Sequence, residues 1–168
     1  MIIINFNSSL LFNKLKETKL AFSLKDLNIE TWNQDYEAIN FIFNNITFKS
    51  RLAKKTPKKH GYFVAIWHKN NQGNNVPFTY DEIADKLVVN IIDGVHKGQF
   101  VFQKEILMHK GIISSENNKG KMAFRVYPSW ENDLNKTAQF SQKWQLEYFV
   151  DLSNGVDEQK LIELYSKC

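Results

Sequence analysis

The stretch Ile46-Thr-Phe-Lys-Ser-Arg-Leu-Ala-Lys-Lys-Thr-Pro-Lys-Lys-His-Gly-Tyr-Phe-Val-Ala-Ile-Trp-His-Lys69 decides how this chain is read. In its first part Ile46, Phe48 and Leu52 lie among Thr47, Lys49 and Arg51, the period of two expected of a strand, here predicted from Ile46 to Lys54. Thr56 to Gly61 combines Pro, Gly and Lys and predicts a turn. Tyr62 to Lys69 is aromatic and β-branched and predicts a second strand. Two strands joined by a basic turn make a sheet the centre of the fold.

Outward toward the N-terminus, Tyr36, Ile39 and Phe43 with Ala38, Phe41 and Ile42 predict a helix from Asn33 or Gln34 to Asn44, stopped by Asn44-Asn45. Ser8 or Ser9 can cap an earlier helix reaching about Leu20, and Ile2 to Ile4 read as an edge strand or a lead into it. Toward the C-terminus, Val76 to Tyr80 is extended, Asp81 to Asp85 a helical turn, and Leu87 to Ile92 a strand. Asp93-Gly94 and Gly98 bracket a hairpin into Gln99 to Gln103. A short helix over 104–110, a strand over 121–127 and helices over 135–150 and 157–167 complete the order. This succession predicts an α/β fold, a mixed, largely antiparallel sheet flanked by helices, in one domain spanning 1–168.

Charge is distributed unevenly along this frame. Between Ala38 and Tyr80 there is no Asp or Glu, yet there are seven Lys or Arg; elsewhere 15 basic residues face 18 acidic ones. The net charge of +4 thus comes from one block, whose field favours anionic partners. A hydrophobic fraction of 43% with 13 Phe and four Trp can fill a sizeable core. The one cysteine, Cys168, cannot pair within the chain, which excludes a disulfide scaffold. The N-terminal residues lack a basic leader pattern and no apolar run reaches bilayer length, so a soluble, cytoplasmic protein is expected.

Three groups are candidates for chemistry. Arg51, Lys54, Lys55 and Lys58 gather on the first strand and its turn, combining a bidentate guanidinium with mobile ammonium groups suited to phosphates. Arg125, with Tyr127 and Trp130, offers a cation beside rings on which bases could stack. Lys104 stands where a strand meets a helix and could meet an anion there, and Trp67 on the neighbouring strand either lines the same cleft or is buried as core. His60, His68, His96 and His109 lack metal-site spacing, and there is no GxSxG, P-loop or GxGxxG motif. No catalytic residue, metal or cofactor is predicted from these motifs.

The segments Ser50-Arg-Leu-Ala-Lys-Lys-Thr-Pro-Lys-Lys-His-Gly-Tyr-Phe-Val-Ala-Ile-Trp67, Pro77-Phe78, Gly98-Gln-Phe-Val-Phe-Gln-Lys104 and Gly120-Lys-Met-Ala-Phe-Arg-Val-Tyr-Pro-Ser-Trp130 resemble the MepB-like proteins, in order, from about Tyr36 to Phe149. Gln103 departs from the family pattern, which tends to have Pro before the Lys. The resemblance implies a restriction-endonuclease-like core, α-β-β-β-α-β, with extra N- and C-terminal helices. Active enzymes of that fold carry an acid-x-Lys on a strand beside another carboxylate. Here that spacing occurs only at Glu17-Thr-Lys19 and Glu158-Gln-Lys160, both in predicted helices, and Phe102 stands where the acid before Lys104 should be.

The expected function is therefore nucleic-acid binding, with DNA first, on a nuclease-like core without a standard active site. One alternative is a divergent metal-dependent nuclease using Glu37, Asp81, Asp85 or Asp93 with Lys104. Another is a binder of an acidic protein or a small phosphorylated ligand.

Overall fold

The computed structural model describes residues 5–166. The expectations for Ile2 to Ile4 and for Cys168 lie outside them. The chain runs α1 (Ser9–Lys16), β1 (Lys25–Ile29), β2 (Ile39–Phe43), β3 (Ile46–Leu52), β4 (Lys54–Lys55), β5 (Tyr62–Ala65), β6 (Trp67–Lys69), β7 (Asn75–Pro77), β8 (Lys86–Asp93), β9 (His96–Gln103), α2 (Lys104–His109), β10 (Ala123–Val126), α3 (Lys136–Gln145), β11 (Phe149–Asp151) and α4 (Glu158–Tyr165).

Six strands form the main sheet in the order β1-β2-β3-β8-β9-β11. Every neighbouring pair is antiparallel except β3 and β8, so the architecture is mixed α/β with a largely antiparallel sheet. Val88, Val101 and Val150 point to one face, where Leu11, Phe12 and Leu15 of α1 and Leu161, Leu164 and Tyr165 of α4 cover them. Leu87, Val89, Ile91, Phe100 and Phe102 point to the other. There a second sheet, β10-β5-β4, lays Tyr62, Val64, Phe124 and Val126 against them, with Leu107 of α2 alongside. A central strand covered on both faces should be apolar throughout, and β8 is buried over its first six residues. Among the described residues no helix is long and apolar enough to cross a membrane.

Two expected helices are corrected. Ile39–Phe43 is a strand, and Asn44 and Asn45, with φ of 53° and 62°, form the two-residue turn of a hairpin into β3. A two-residue loop with both φ positive matches the twist of the flanking strands, and Asn tolerates it. The helix expected over 135–150 ends at Gln145. Phe149–Asp151 instead pairs with the edge of β9, opposite Gly98, where a Cβ would lie 2.6 Å from the Phe149 ring. Tyr62–Lys69 divides at Ile66: β5 pairs with β4 and β10, β6 with β7. The strand starting at Ile46 stops at Leu52, and β4 belongs to the second sheet.

The α1 start is capped from a distance. The Ser8 side chain makes no cap bond; the Glu37 carboxylate accepts from the amides of Asn7 at 2.7 Å and Ser8 at 2.9 Å. Unpaired amide groups at a helix start favour a carboxylate there.

Candidate functional site

The second sheet has an inner face in the core and an outer face away from it. In register, Lys54 of β4 lies opposite Phe63 of β5, and Phe63 opposite Arg125 of β10. Directly paired residues project from the same face, so these three form one row across the sheet. Neighbours on each strand, Lys55, Tyr62 and Val126, project to the opposite face.

Tyr36, from the loop between β1 and β2, completes the row. The Lys54 ammonium lies 4.7 Å from the centre of the Tyr36 ring, the Tyr36 and Phe63 rings are 6.4 Å apart, and the Arg125 guanidinium carbon is 5.8 Å from the Phe63 ring. Two neighbouring rings thus lie between two cations along the row. Burial, and then the neighbouring Asp35 charge, push the Tyr36 hydroxyl pKa up, so it stays protonated as a donor. Arg125 donates to the Thr56 hydroxyl at 2.7 Å and the His60 carbonyl at 3.0 Å. Both acceptors are neutral, so the guanidinium is anchored with its charge uncompensated. Lys58 and Lys59 are exposed in the adjoining turn. Among the described residues none of Lys54, Lys58, Lys59 and Arg125 is in an ion pair.

Lys54 and Arg125 are thus brought together, with Lys58 nearby in the turn. The other candidates are placed elsewhere. Arg51 is fully buried: two residues from Lys49 on β3, it shares a face with it that points inward, and its guanidinium meets both oxygens of Glu30, at 2.9 and 3.3 Å. Lys49 reaches the same carboxylate at 3.2 Å. Burial alone would raise the Glu30 pKa, but the charges of Arg51 and Lys49 outweigh it and hold the carboxyl below its ordinary value. Arg51 therefore contacts a carboxylate inside the protein and leaves the surface set. Lys55 projects to the opposite side from Lys54 and pairs with Asp93 at 3.4 Å.

Lys104 stands apart as well. It follows Gln103, which is level with Lys86 and Phe48 at one end of the sheet, whereas Lys54 lies beyond Leu52 at the other. Four residues of strand, about 13 Å, separate those levels. The Lys104 ammonium sits 4.1 Å from the Tyr80 ring. Trp130 donates to the Tyr62 hydroxyl at 3.0 Å and stacks on His96, closing the edge of the core. Tyr127 covers Gly61, where a Cβ would meet its ring at 2.6 Å. The Trp67 amide donates to Asn33 Oδ1 at 3.3 Å, and with Tyr36 the residue lines a cleft beside the row whose lining does not include Lys104.

Sequence reasoning missed Tyr36, Phe63 and Asn33. Phe63 was within reach, because alternation from buried Tyr62 and Val64 puts it on the outer face. Tyr36 and Asn33 were hidden by the helix expected over their segment. Three of the four carboxylates considered for metal binding are held within the fold. Glu37 caps α1, Asp85 accepts from the Thr47 amide and hydroxyl at 3.0 Å, and Asp93 accepts from the Tyr62 hydroxyl at 2.7 Å. The fourth, Asp81, is exposed.

A sequence model of the family described as MepB-like matches residues 30–151. The crystal structure of MepB is 46% identical, with a TM-score of 0.79, over 89% of this chain and 99% of that one. A bacterial homing endonuclease is 13% identical over 83% of this chain and 85% of its own, with a TM-score of 0.42, too loose a likeness to carry an argument. No curated protein matches the chain.

Proposed function

The chain belongs to the MepB-like family, and from that premise we propose that it binds nucleic acid on the outer face of β4, β5 and β10. The placement of the Tyr36 and Phe63 rings between Lys54 and Arg125 carries this reading. Cations without carboxylate partners suit phosphates, and half-buried rings between them suit bases. An acidic protein would use the cations but not the rings, and for that reason nucleic acid is preferred over it. DNA is the ligand to test first. The core, in which the hairpin β8–β9 runs directly into α2, is read as restriction-endonuclease-like. Binding is favoured over cutting because Glu37, Asp85 and Asp93 are each held by a donor of the fold.

The opposite projection of Lys54 and Lys55 supplies the test. Fluorescence anisotropy with labelled DNA at about 50 mM salt should show tight binding by the wild type. Lys54→Glu should weaken it roughly tenfold or more, and Lys55→Glu should change it only a few-fold. Absence of binding by the wild type, or equal losses in the two variants, would overturn the reading.

A further inference from the structure

Beside the row lies a cleft of about 320 Å³ lined by Thr31, Asn33, Gln34, Asp35, Tyr36 and Trp67. We propose that it receives one unpaired base of a bound strand. The inference rests on the nucleic-acid reading of the face and adds to it the state of the strand: single-stranded, or locally unpaired.

Tyr36 belongs to both features, contacting Lys54 in the row and lining the cleft. A strand whose phosphate is held at Lys54 therefore has its adjacent bases at the cleft mouth. Tyr36 and Trp67 are half-buried and offer ring surface for stacking, which any base can use. Asp35 on the wall repels phosphate and accepts from base N–H groups, so the cleft suits the base rather than the backbone.

Asn33 supplies the polar recognition. It is 6% exposed, its Oδ1 accepts from the Trp67 amide, and its Nδ2 has no acceptor among the described residues. Buried donors are almost always paired in folded proteins, and this one is covered just beneath the cleft lining, where a turn of the amide would bring it to an acceptor on a bound base. Every base carries one on its pairing edge, and that edge is free only when the base is unpaired. The loop is held in shape before any ligand arrives. The Tyr36 and Glu37 amides bond back to Asn33 and Gln34, and Glu37, at φ 49°, is tied by its carboxylate to the start of α1.

The test compares a short single-stranded DNA, its duplex, the same strand made abasic, and mononucleotides, each by competition against labelled single strand. The single strand should bind roughly tenfold tighter than the duplex and the abasic strand. Asn33→Asp keeps the acceptor for the Trp67 amide and a residue tolerant of positive φ, but replaces the donor by an oxygen. It should remove that preference, read as the ratio of single-strand to duplex affinity within the variant. Should the variant not fold, Trp67→Ala, which removes a ring of the cleft that is not part of the row, should lower the single-strand preference in its place. A single-strand preference that survives unchanged in the variant overturns the base cleft while leaving the face intact, and equal binding of single strand, duplex and abasic strand overturns the cleft and the stacking role of the row. Mononucleotides that match the strand in affinity overturn the strand as its occupant. Failure of every nucleic acid to bind overturns the nucleic-acid reading of the face itself.

Discussion

Glu30 carries one negative charge and touches two buried cations, Lys49 and Arg51, so this part of the core holds an excess positive charge. The Trp32 indole also donates to it. Glu30→Gln would leave both cations without a counter-charge, and such losses cost about 3–5 kcal/mol. Urea denaturation at neutral pH should show a fall of that order. The pH dependence has a definite sign. Because the Glu30 pKa is held below its unfolded value near 4.5, its contribution is complete above that value. That contribution fades as pH falls through the folded pKa. Wild type should therefore lose stability on acidification below about pH 4.5 more steeply than Glu30→Gln, measured as urea midpoint against pH. The same residues show why the basic stretch was only half legible. An acid-free window is a statement about sequence neighbours, whereas pairing is decided in space. Glu30 enters from before the window to meet Lys49 and Arg51, and Asp93 from after it to meet Lys55.

Among the elements, the hairpin β2–β3 is where pattern and structure part. Ile39-Asn-Phe-Ile-Phe43 has apolar residues at helical and strand spacings alike, and short runs of this kind do not separate the two by periodicity. The discriminating signal is the Asn-Asn pair, read as a helix stop but in fact a two-residue turn. Asn45→Val should cost about 1–2 kcal/mol, because a β-branched residue fits φ of 62° poorly; thermal denaturation measures it. Elements with punctuation of their own were legible: β8 and β9 around Gly94, α4 behind Asp157, which caps it, and β3 by alternation. Phe149–Asp151 was not, because three residues carry no period, and their strand state depends on docking against Gly98 of β9. The site row follows the same division. Lys54 and Arg125 were named as cations, but their meeting across Phe63 is a matter of register, set by the pairing of β4, β5 and β10.

At the scale of the molecule, the main sheet is covered on one face by α1 and α4 and on the other by the second sheet, which presents its own far side outward. A net charge of +4 is small for a chain of 168 residues, so long-range attraction depends on where the cations lie rather than on their sum. Lys54, Lys58, Lys59 and Arg125 belong to this face or its turn and have no carboxylate partner among the described residues. If all four neutralise phosphates, log–log plots of affinity against salt should have a slope of about −3.6 on duplex and about −2.8 on single strands. Lys54→Glu should flatten either slope by at least about 0.7, since one phosphate contact is lost. Lys104→Ala should leave it unchanged, because its ammonium lies over Tyr80 at the far end of the sheet. Salt titrations of the three proteins in parallel separate this face from a field spread over the surface. A spread field would make Lys54 and Lys104 count alike, and equal slopes in the two variants would exclude a localised face.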